Sequence, residues 1–117
     1  MANTFKSYGV ASIGASNTTV YTAPVGTTTT LIGLSLANTL TTNAITVDVI
    51  LSKGSGGSGT GSTTDFYVIK GAPIAAGGTL VPVGGDQKIV LEAGNLVKIK
   101  SSDAVSVDSL VSVLEIS

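Results

Sequence analysis

The sequence predicts an all-β protein in which two antiparallel sheets pack as a sandwich, and three observations favour this fold class. Val, Ile and Thr dominate the 117 residues, and β-branched residues favour strands. No long stretch repeats its apolar residues with the period of a helix. The 15 Gly and three Pro fall between short apolar runs, where turn residues belong. A jelly roll is the first expectation and an immunoglobulin-like sandwich is the alternative, because sequence does not determine strand order.

The first half of the chain predicts three strands, and the second and third of them alternate clearly. In the second strand, alternation places Ile32, Leu34 and Leu36 on the core face and Leu31 on the opposite face. In the third, alternate apolar residues from Ile45 onward point inward. The three predicted strands span residues 18–22, 29–38 and 44–52, and Pro24 limits the first of them.

The second half of the chain predicts five more strands with turn residues between them. Pro82 marks one strand as an edge strand, since proline has no N–H to donate to a neighbour. Lys98 and Lys100 share one face of another strand, and this face is expected to be solvated. The five predicted strands span residues 65–70, 79–83, 88–91, 96–101 and 107–116, with turns at 75–78, 84–86 and 92–95.

A single domain is expected, because a chain of this length can bury a core without disulfides or metals. Residues 1–17 are predicted to form an N-terminal arm, and residues 18–117 the sandwich. Residues 52–64 read S-K-G-S-G-G-S-G-T-G-S-T-T and are predicted to form a flexible surface loop, since this composition buries little apolar surface. The loop is interpreted as a tolerated insertion in a hairpin or, alternatively, as an adaptable contact loop.

Residues that carry chemistry are scarce. The chain contains no His, Cys, Arg or Trp, which excludes disulfides, thiolate nucleophiles and histidine bases. The G-x-G-x-x-G at residues 54–59 lacks the following helix that a dinucleotide site needs. Asp103 and Asp108 could approach a hard cation, but the spacing of a calcium loop is absent. We therefore expect no enzyme activity, no catalytic residues, no cofactor and no metal.

Charge also argues against nucleic-acid and membrane partners. Six Lys are balanced by seven acidic residues, which leaves a net charge of −1 and no basic face. The acidic residues are spread along the chain, and most of them lie at turns or outward positions, so we expect these to be solvated. No apolar run approaches the length that spans a bilayer, and residues 1–6 do not resemble a signal peptide.

The low charge instead favours association with other subunits. Charged residues make up 11% of the chain, where about 25% is typical, so electrostatic self-repulsion is weak. Phe5 and Tyr8 in the arm are predicted to dock on a neighbouring subunit or on the protein's own sandwich. Leu31 and Ile50 are predicted to point outward and to contribute to a contact face. The alternative is a monomer with a surface rich in Ser and Thr.

Short segments in a fixed order carry a resemblance to a known group of proteins. They are M-A-N-T-F-K (1–6), V-Y-T-A-P (20–24), residues 31–38, P-I-A-A-G-G-T-L (73–80), K-I-V-L-E-A-G-N (88–95) and S-V-L-E-I (112–116). Together they resemble small virion structural proteins of tailed bacteriophages, notably those that infect cyanobacteria. The Gly/Ser run at 52–64 departs from that pattern.

The resemblance implies a non-enzymatic component of the virion, made in the host cytoplasm. It implies a capsid decoration (cement) protein that binds the outer surface of the phage head and stabilises it. Its partners would be itself, as a homotrimer or homodimer, and the major capsid protein. A neck, tail or fibre component that binds the host surface is the alternative. No catalytic residue is carried over.

Overall fold

A computed structural model describes residues 3–53, 64–83 and 88–117 of the chain, which form strands and turns. None of these residues belongs to a helix of the length and apolar character needed to cross a membrane. The strands are β1 (Asn3–Ile13), β2 (Thr18–Thr22), β3 (Thr28–Asn38), β4 (Ile45–Lys53), β5 (Thr64–Ile74), β6 (Thr79–Val83), β7 (Ile89–Leu91), β8 (Leu96–Ser101) and β9 (Val107–Ile116).

The strands form two antiparallel sheets packed face to face, which confirms the predicted sandwich. Sheet A has the order β1-β9-β3-β6, and β7 pairs with β3 on the same side as β6. Sheet B has the order β2-β8-β4-β5. The pairing is nested: β1 pairs with β9, β2 with β8, β3 with β6 and β7, and β4 with β5. This nested order is that of a jelly roll, the first of the two predicted sandwich types.

The core lies between the sheets and is built from alternate residues of both. Because side chains alternate across a strand, β9 buries Val107, Val111 and Val113 while their neighbours point away. Strand β4 contributes Val47 and Val49 in the same way. The predicted turn at 92–95 is present, as is the one at 75–78, and each carries a Gly with positive φ at its third position.

Most of the predicted N-terminal arm is an edge strand of sheet A, so the structure corrects this prediction. Strand β1 runs opposite β9 from Asn3, which faces Ile116, to Val10, which faces Ser109. Only Ile13 of this strand is fully buried, and Tyr8 and Val10 are partly buried. An edge strand with so few buried positions lacks the alternation of apolar and polar residues by which strands are detected in a sequence. The sequence of β1 therefore looks like that of an arm.

A one-residue bulge in β3 corrects the predicted position of Leu31. Leu31 pairs with Val113 and Gly33 with Ser112, so Ile32 is an extra residue without a partner on β9. An extra residue reverses the alternation. Leu31 therefore faces the core with 1% exposure, and so do Leu34 and Leu36, whereas Ile32 is only partly buried.

The predicted Gly/Ser loop lies mostly outside the described residues. Its first two residues end β4 and its last begins β5, where Ser52 pairs with Asp65 and Lys53 with Thr64. Residues 54–63 are not described, and neither are residues 84–87, which include the predicted turn at 84–86. Strands β4 and β5 therefore form the hairpin that this loop was expected to connect.

Candidate functional site

The outer face of sheet A is the candidate contact surface, and it is defined by cross-strand rows. One row crosses four strands through Phe5, Leu114, Thr30 and Val90. The next two rows are Ser7–Ser112–Gly33 and Gly9–Leu110–Ser35. The three rows contain no charged side chain.

Three large apolar side chains stand out from this face. Phe5 is 73% exposed, Val90 is 57% exposed and Leu110 is 52% exposed. The residues between them are mostly Gly and Ser, so the face is low and flat around these protruding groups. A contiguous uncharged surface with exposed aromatic and aliphatic groups is typical of a protein-protein contact. Of the four residues predicted for an interface, Phe5 is the one that lies on this face.

The outer face of sheet B differs because it carries paired charges. Asp48 lies opposite Lys100 in the β4–β8 register. Lys98 Nζ is 4.0 Å from Asp65 Oδ1, and Ser52 donates a hydrogen bond to the same carboxylate. Such a face is well solvated by itself, and covering it would require these charges to lose water. Burying the outer face of sheet B therefore costs more desolvation free energy than burying the three rows of sheet A.

Ile50 is the second predicted interface residue, after Leu31, for which the structure corrects the expected exposure. It lies outside the core cluster, as expected for an outward position, but it is only 2% exposed. In the sheet it faces Tyr67 of β5 on one side and Lys98 of β8 on the other. Long side chains next to a smaller one can cover it, so Ile50 is not accessible to a partner.

Tyr8 points between the sheets rather than toward a neighbouring molecule. Its ring packs against that of Tyr21 on β2, with 5.3 Å between centroids and a tilt of 54°. Its hydroxyl lies 3.5 Å from Glu115 Oε2. Tyr8 is therefore a contact between β1 and the body of the sandwich. This corresponds to the alternative in which the arm docks on its own domain.

Glu115 is the centre of a polar cluster that the sequence did not predict. It is only 7% exposed, unlike the solvated position expected for most acidic residues of the chain. Tyr21 donates a hydrogen bond to Glu115 Oε2 at 2.6 Å, and Lys6 Nζ lies 3.0 Å from Oε1. The hydroxyl of Tyr21 also lies 2.9 Å from Thr29 Oγ1. The signal that could have found this cluster is the alternation of β9, which places Glu115 on the same side as Val111 and Val113.

The contacts of this cluster shift three pKa values. The hydrogen bond from Tyr21 favours the carboxylate and lowers the pKa of Glu115, against the opposing effect of burial. The hydrogen bond with Glu115 raises the pKa of Lys6. Burial raises the pKa of Tyr21 far above its usual value, and the hydrogen bond with Glu115 adds to this shift. The cluster thus holds a charged Glu115–Lys6 pair beside a neutral phenol.

Asp103 and Asp108, which were considered as ligands of a hard cation, take part in separate hydrogen bonds. Asp108 Oδ1 accepts a hydrogen bond from the backbone N–H of Ser12, and the N–H of Asp103 donates to Ser101 Oγ. Among the described residues, no three acidic side chains come together where they could hold a metal ion. The G-x-G-x-x-G segment at 54–59 lies outside the described residues.

Comparison with solved structures finds a similar fold in a viral chain and in a pilus subunit. No known family and no curated protein sequence matches the chain. A chain from the T13 particle of infectious bursal disease virus is 12% identical, with a TM-score of 0.55 over 97% of this chain. A subunit of Bacillus endospore appendages, which are disulfide-linked pili, is also 12% identical, with a TM-score of 0.51. The VP2 subviral particle of infectious bursal disease virus aligns over 97% of this chain and 41% of its own, with 12% identity and a TM-score of 0.36.

The extent of these matches differs between the two neighbours with the higher scores. The present chain spans 30% of the length of the viral chain, whereas it spans 88% of the pilus subunit and is itself 98% covered. At 12% identity the similarity establishes a shared fold. The present chain contains no Cys, so it cannot form the disulfide links for which the appendages are described.

Proposed function

We propose that this protein is a non-enzymatic structural component of a phage virion, specifically a decoration (cement) protein on the outer surface of the head. The observation that carries the proposal is the set of three uncharged rows on the outer face of sheet A, on a jelly-roll sandwich. The similarity in fold to a viral capsid chain and the sequence resemblance to phage virion proteins support it.

The physical argument is one of desolvation. A cement protein contributes contact area, and the three rows that contain Phe5 and Leu110 have no charged side chain that would lose water when they are covered. The exposed apolar groups supply the favourable part of the binding free energy. The paired charges of sheet B would then remain in solvent. We accordingly assign sheet A to the contact and sheet B to the outside of the particle.

The proposed partners are other copies of this chain, in a homodimer or homotrimer, and the major capsid protein. Each copy would bind weakly through the three short rows of sheet A. Many copies on one shell would stabilise it together. This arrangement needs no catalytic group.

The test is to purify virions from the source of the gene and to identify the chain in them by mass spectrometry. Cryo-electron microscopy then locates it, and heating compares particles with and without the protein. We expect density on the head and a lower disruption temperature for particles that lack it. Absence of the chain from purified particles, or equal heat resistance, would contradict the proposal.

A pair of variants connects this experiment to sheet A. Phe5→Ala removes the most exposed aromatic group of the contact face and should reduce the number of copies bound per particle. Val25→Ala is the matched control, since Val25 is 94% exposed in the β2–β3 turn and lies outside the three rows. Equal occupancy for both variants would exclude Phe5 from the contact.

A neck, tail or fibre component is the second candidate. The observation that favours it is the match to a pilus subunit over nearly the full length of both chains. A jelly roll of this size can therefore be a complete subunit of a filament. Density at the tail or neck of the particle, with none on the head, would select this role, and binding of the purified protein to host cells would test a host-surface function.

A further inference from the structure

Asn95 is the buried polar side chain that the fold leaves unexplained. It has no exposed surface, and neither Nδ2 nor Oδ1 has a hydrogen-bond partner within the part of the chain that the structure describes. Burying both a donor and an acceptor without partners is costly, and native proteins seldom do so without a reason. The burial of this carboxamide therefore needs an explanation, which the residues next to it supply.

The strand register brings Lys53 to Asn95. Strands β4 and β8 pair as far as Ser52, which lies opposite Leu96. The next position on β4 is Lys53, its last residue, and the next on β8 is Asn95, which immediately precedes it. Residues opposite one another in an antiparallel pair have Cβ atoms about 5 Å apart. The amine and the carboxamide thus start from neighbouring positions.

Both side chains lie on the inner side of sheet B. Lys53 is two residues after Leu51, which packs against the core, and Asn95 is two residues before Val97, which is part of it. Since successive side chains of a strand alternate between faces, each shares the inner face with its core neighbour. The Lys53 side chain is accordingly only 18% exposed.

Glu92 adds a carboxylate at the same place. Its Oε1 is 3.0 Å from Lys53 Nζ, and its side chain is 32% exposed. Glu92 begins the turn that Asn95 ends, and the N–H of Asn95 donates to the carbonyl of Glu92 at 3.0 Å. Gly94, with φ of 86°, permits this turn. An amine, a carboxylate and a carboxamide therefore share one end of the sandwich.

We infer that Lys53 and Asn95 form an intramolecular isopeptide bond, with Glu92 as the proton-transfer group. Glu92 accepts a proton from Lys53 Nζ, and the neutral amine attacks Cγ of Asn95. The carboxamide nitrogen is then protonated and leaves. One C–N bond forms and one breaks, so that the Lys53 ammonium and the Asn95 carboxamide become a secondary amide and an ammonium ion. No oxidant or cofactor is required.

The bond would join β4 to the start of β8 in a chain that contains no Cys for a disulfide. It would remove the unpartnered carboxamide nitrogen and would restrict the unfolded chain, as a disulfide does. The inference concerns the isolated protein and does not depend on the proposed function.

Intact mass measured under denaturing conditions tests the bond directly. We expect the folded protein to weigh less than its sequence by the mass of one ammonia molecule. Trypsin should leave the blocked Lys53 uncut and release a branched peptide that joins residues 7–70 to residues 89–98. A mass equal to that of the sequence, after prolonged incubation of the folded protein at neutral pH, would overturn the inference.

Three variants separate the roles of the groups. Lys53→Arg keeps the charge but removes the nucleophile, and Glu92→Gln keeps the size but removes the base, so both should have the full sequence mass. Lys100→Arg, in the exposed part of β8, is the matched control and should still lose ammonia. Circular dichroism verifies that each variant is folded, so that a missing bond is not attributed to misfolding.

Thermal unfolding supplies a second readout. Wild type and Lys100→Arg should unfold at a temperature higher than that of Lys53→Arg and Glu92→Gln, by on the order of 10 °C, since the closed loop is long. Loss of ammonia that persists in Lys53→Arg would show that the mass change arises elsewhere and would also overturn the inference.

Discussion

Glu115 connects three strands through its side chain. Its carboxylate contacts Lys6 and Tyr8 on β1 and Tyr21 on β2, and it belongs itself to β9. Hydrogen bonds to a charged group are stronger than those between neutral groups. The edge strand β1 buries few apolar groups, so this cluster adds side-chain contacts to the backbone pairing that attaches β1 to β9.

The lowered pKa of Glu115 predicts a loss of stability in acid. In the unfolded chain its pKa is about 4.3. Because folding lowers this pKa, the contribution is complete above about pH 5 and is lost as the pH falls through the folded pKa. Glu115→Gln should lower the free energy of unfolding at pH 7 by about 1.5–3 kcal/mol, the strength of hydrogen bonds to a charged group.

Urea titrations at pH 7 and pH 3 check this prediction. The difference between wild type and Glu115→Gln should be large at pH 7 and small at pH 3. Asp103→Asn is the control, and its difference from wild type should be smaller than that of Glu115→Gln at pH 7. An equal difference at both pH values would show that the charge of Glu115 does not stabilise the fold.

At the scale of elements, the bulge in β3 lets Leu31 and Leu34 face the same core. The sequence predicts strand β3 and its inward Leu34 and Leu36, because alternation is regular after the bulge. It does not predict that Leu31 is buried, since an extra residue becomes visible only when the partner strand is known. Strand β1 was missed for a related reason, because pairing with β9 defines it more than its own pattern does.

Two deletions test the role of the bulge. Removing Ile32 would restore regular pairing and leave Leu31 and Leu34 facing inward, so the variant should fold with a loss of about 1–2 kcal/mol. Removing Ser35 would turn Leu36 and Asn38 outward and should abolish the fold. Circular dichroism and urea unfolding distinguish the two, and equal damage from both deletions would contradict this account.

At the scale of the whole molecule, the two sheets present different surfaces. The three rows from Leu114 to Leu110 on sheet A are uncharged, whereas the outer face of sheet B carries Asp48, Asp65, Lys98 and Lys100. Composition predicted a protein with little charge that associates with others. It could not predict that the uncharged rows lie on sheet A and the facing charges on sheet B, because that depends on which strands become neighbours.

This asymmetry predicts that association uses sheet A. Leu110→Lys places a charge in the last of the three uncharged rows, and it should weaken self-association at least about tenfold. Tyr67→Lys, on the outer face of sheet B, should have little effect. Light scattering and sedimentation over a range of concentrations measure both. A wild-type protein that stays monomeric at high concentration would contradict the prediction.

Because β9 lies between β1 and β3, sheet A can be completed only late in the synthesis of the polypeptide. Among the described strands β9 is the last to leave the ribosome, so β1 and one edge of β3 must wait with their hydrogen-bonding groups unpaired, although the other edge of β3 can already pair with β6 and β7. Such delayed, long-range closure is slow and leaves nascent chains prone to pair with one another. Yield during expression should therefore depend on translation speed and on chaperones more than the modest size of the protein would indicate.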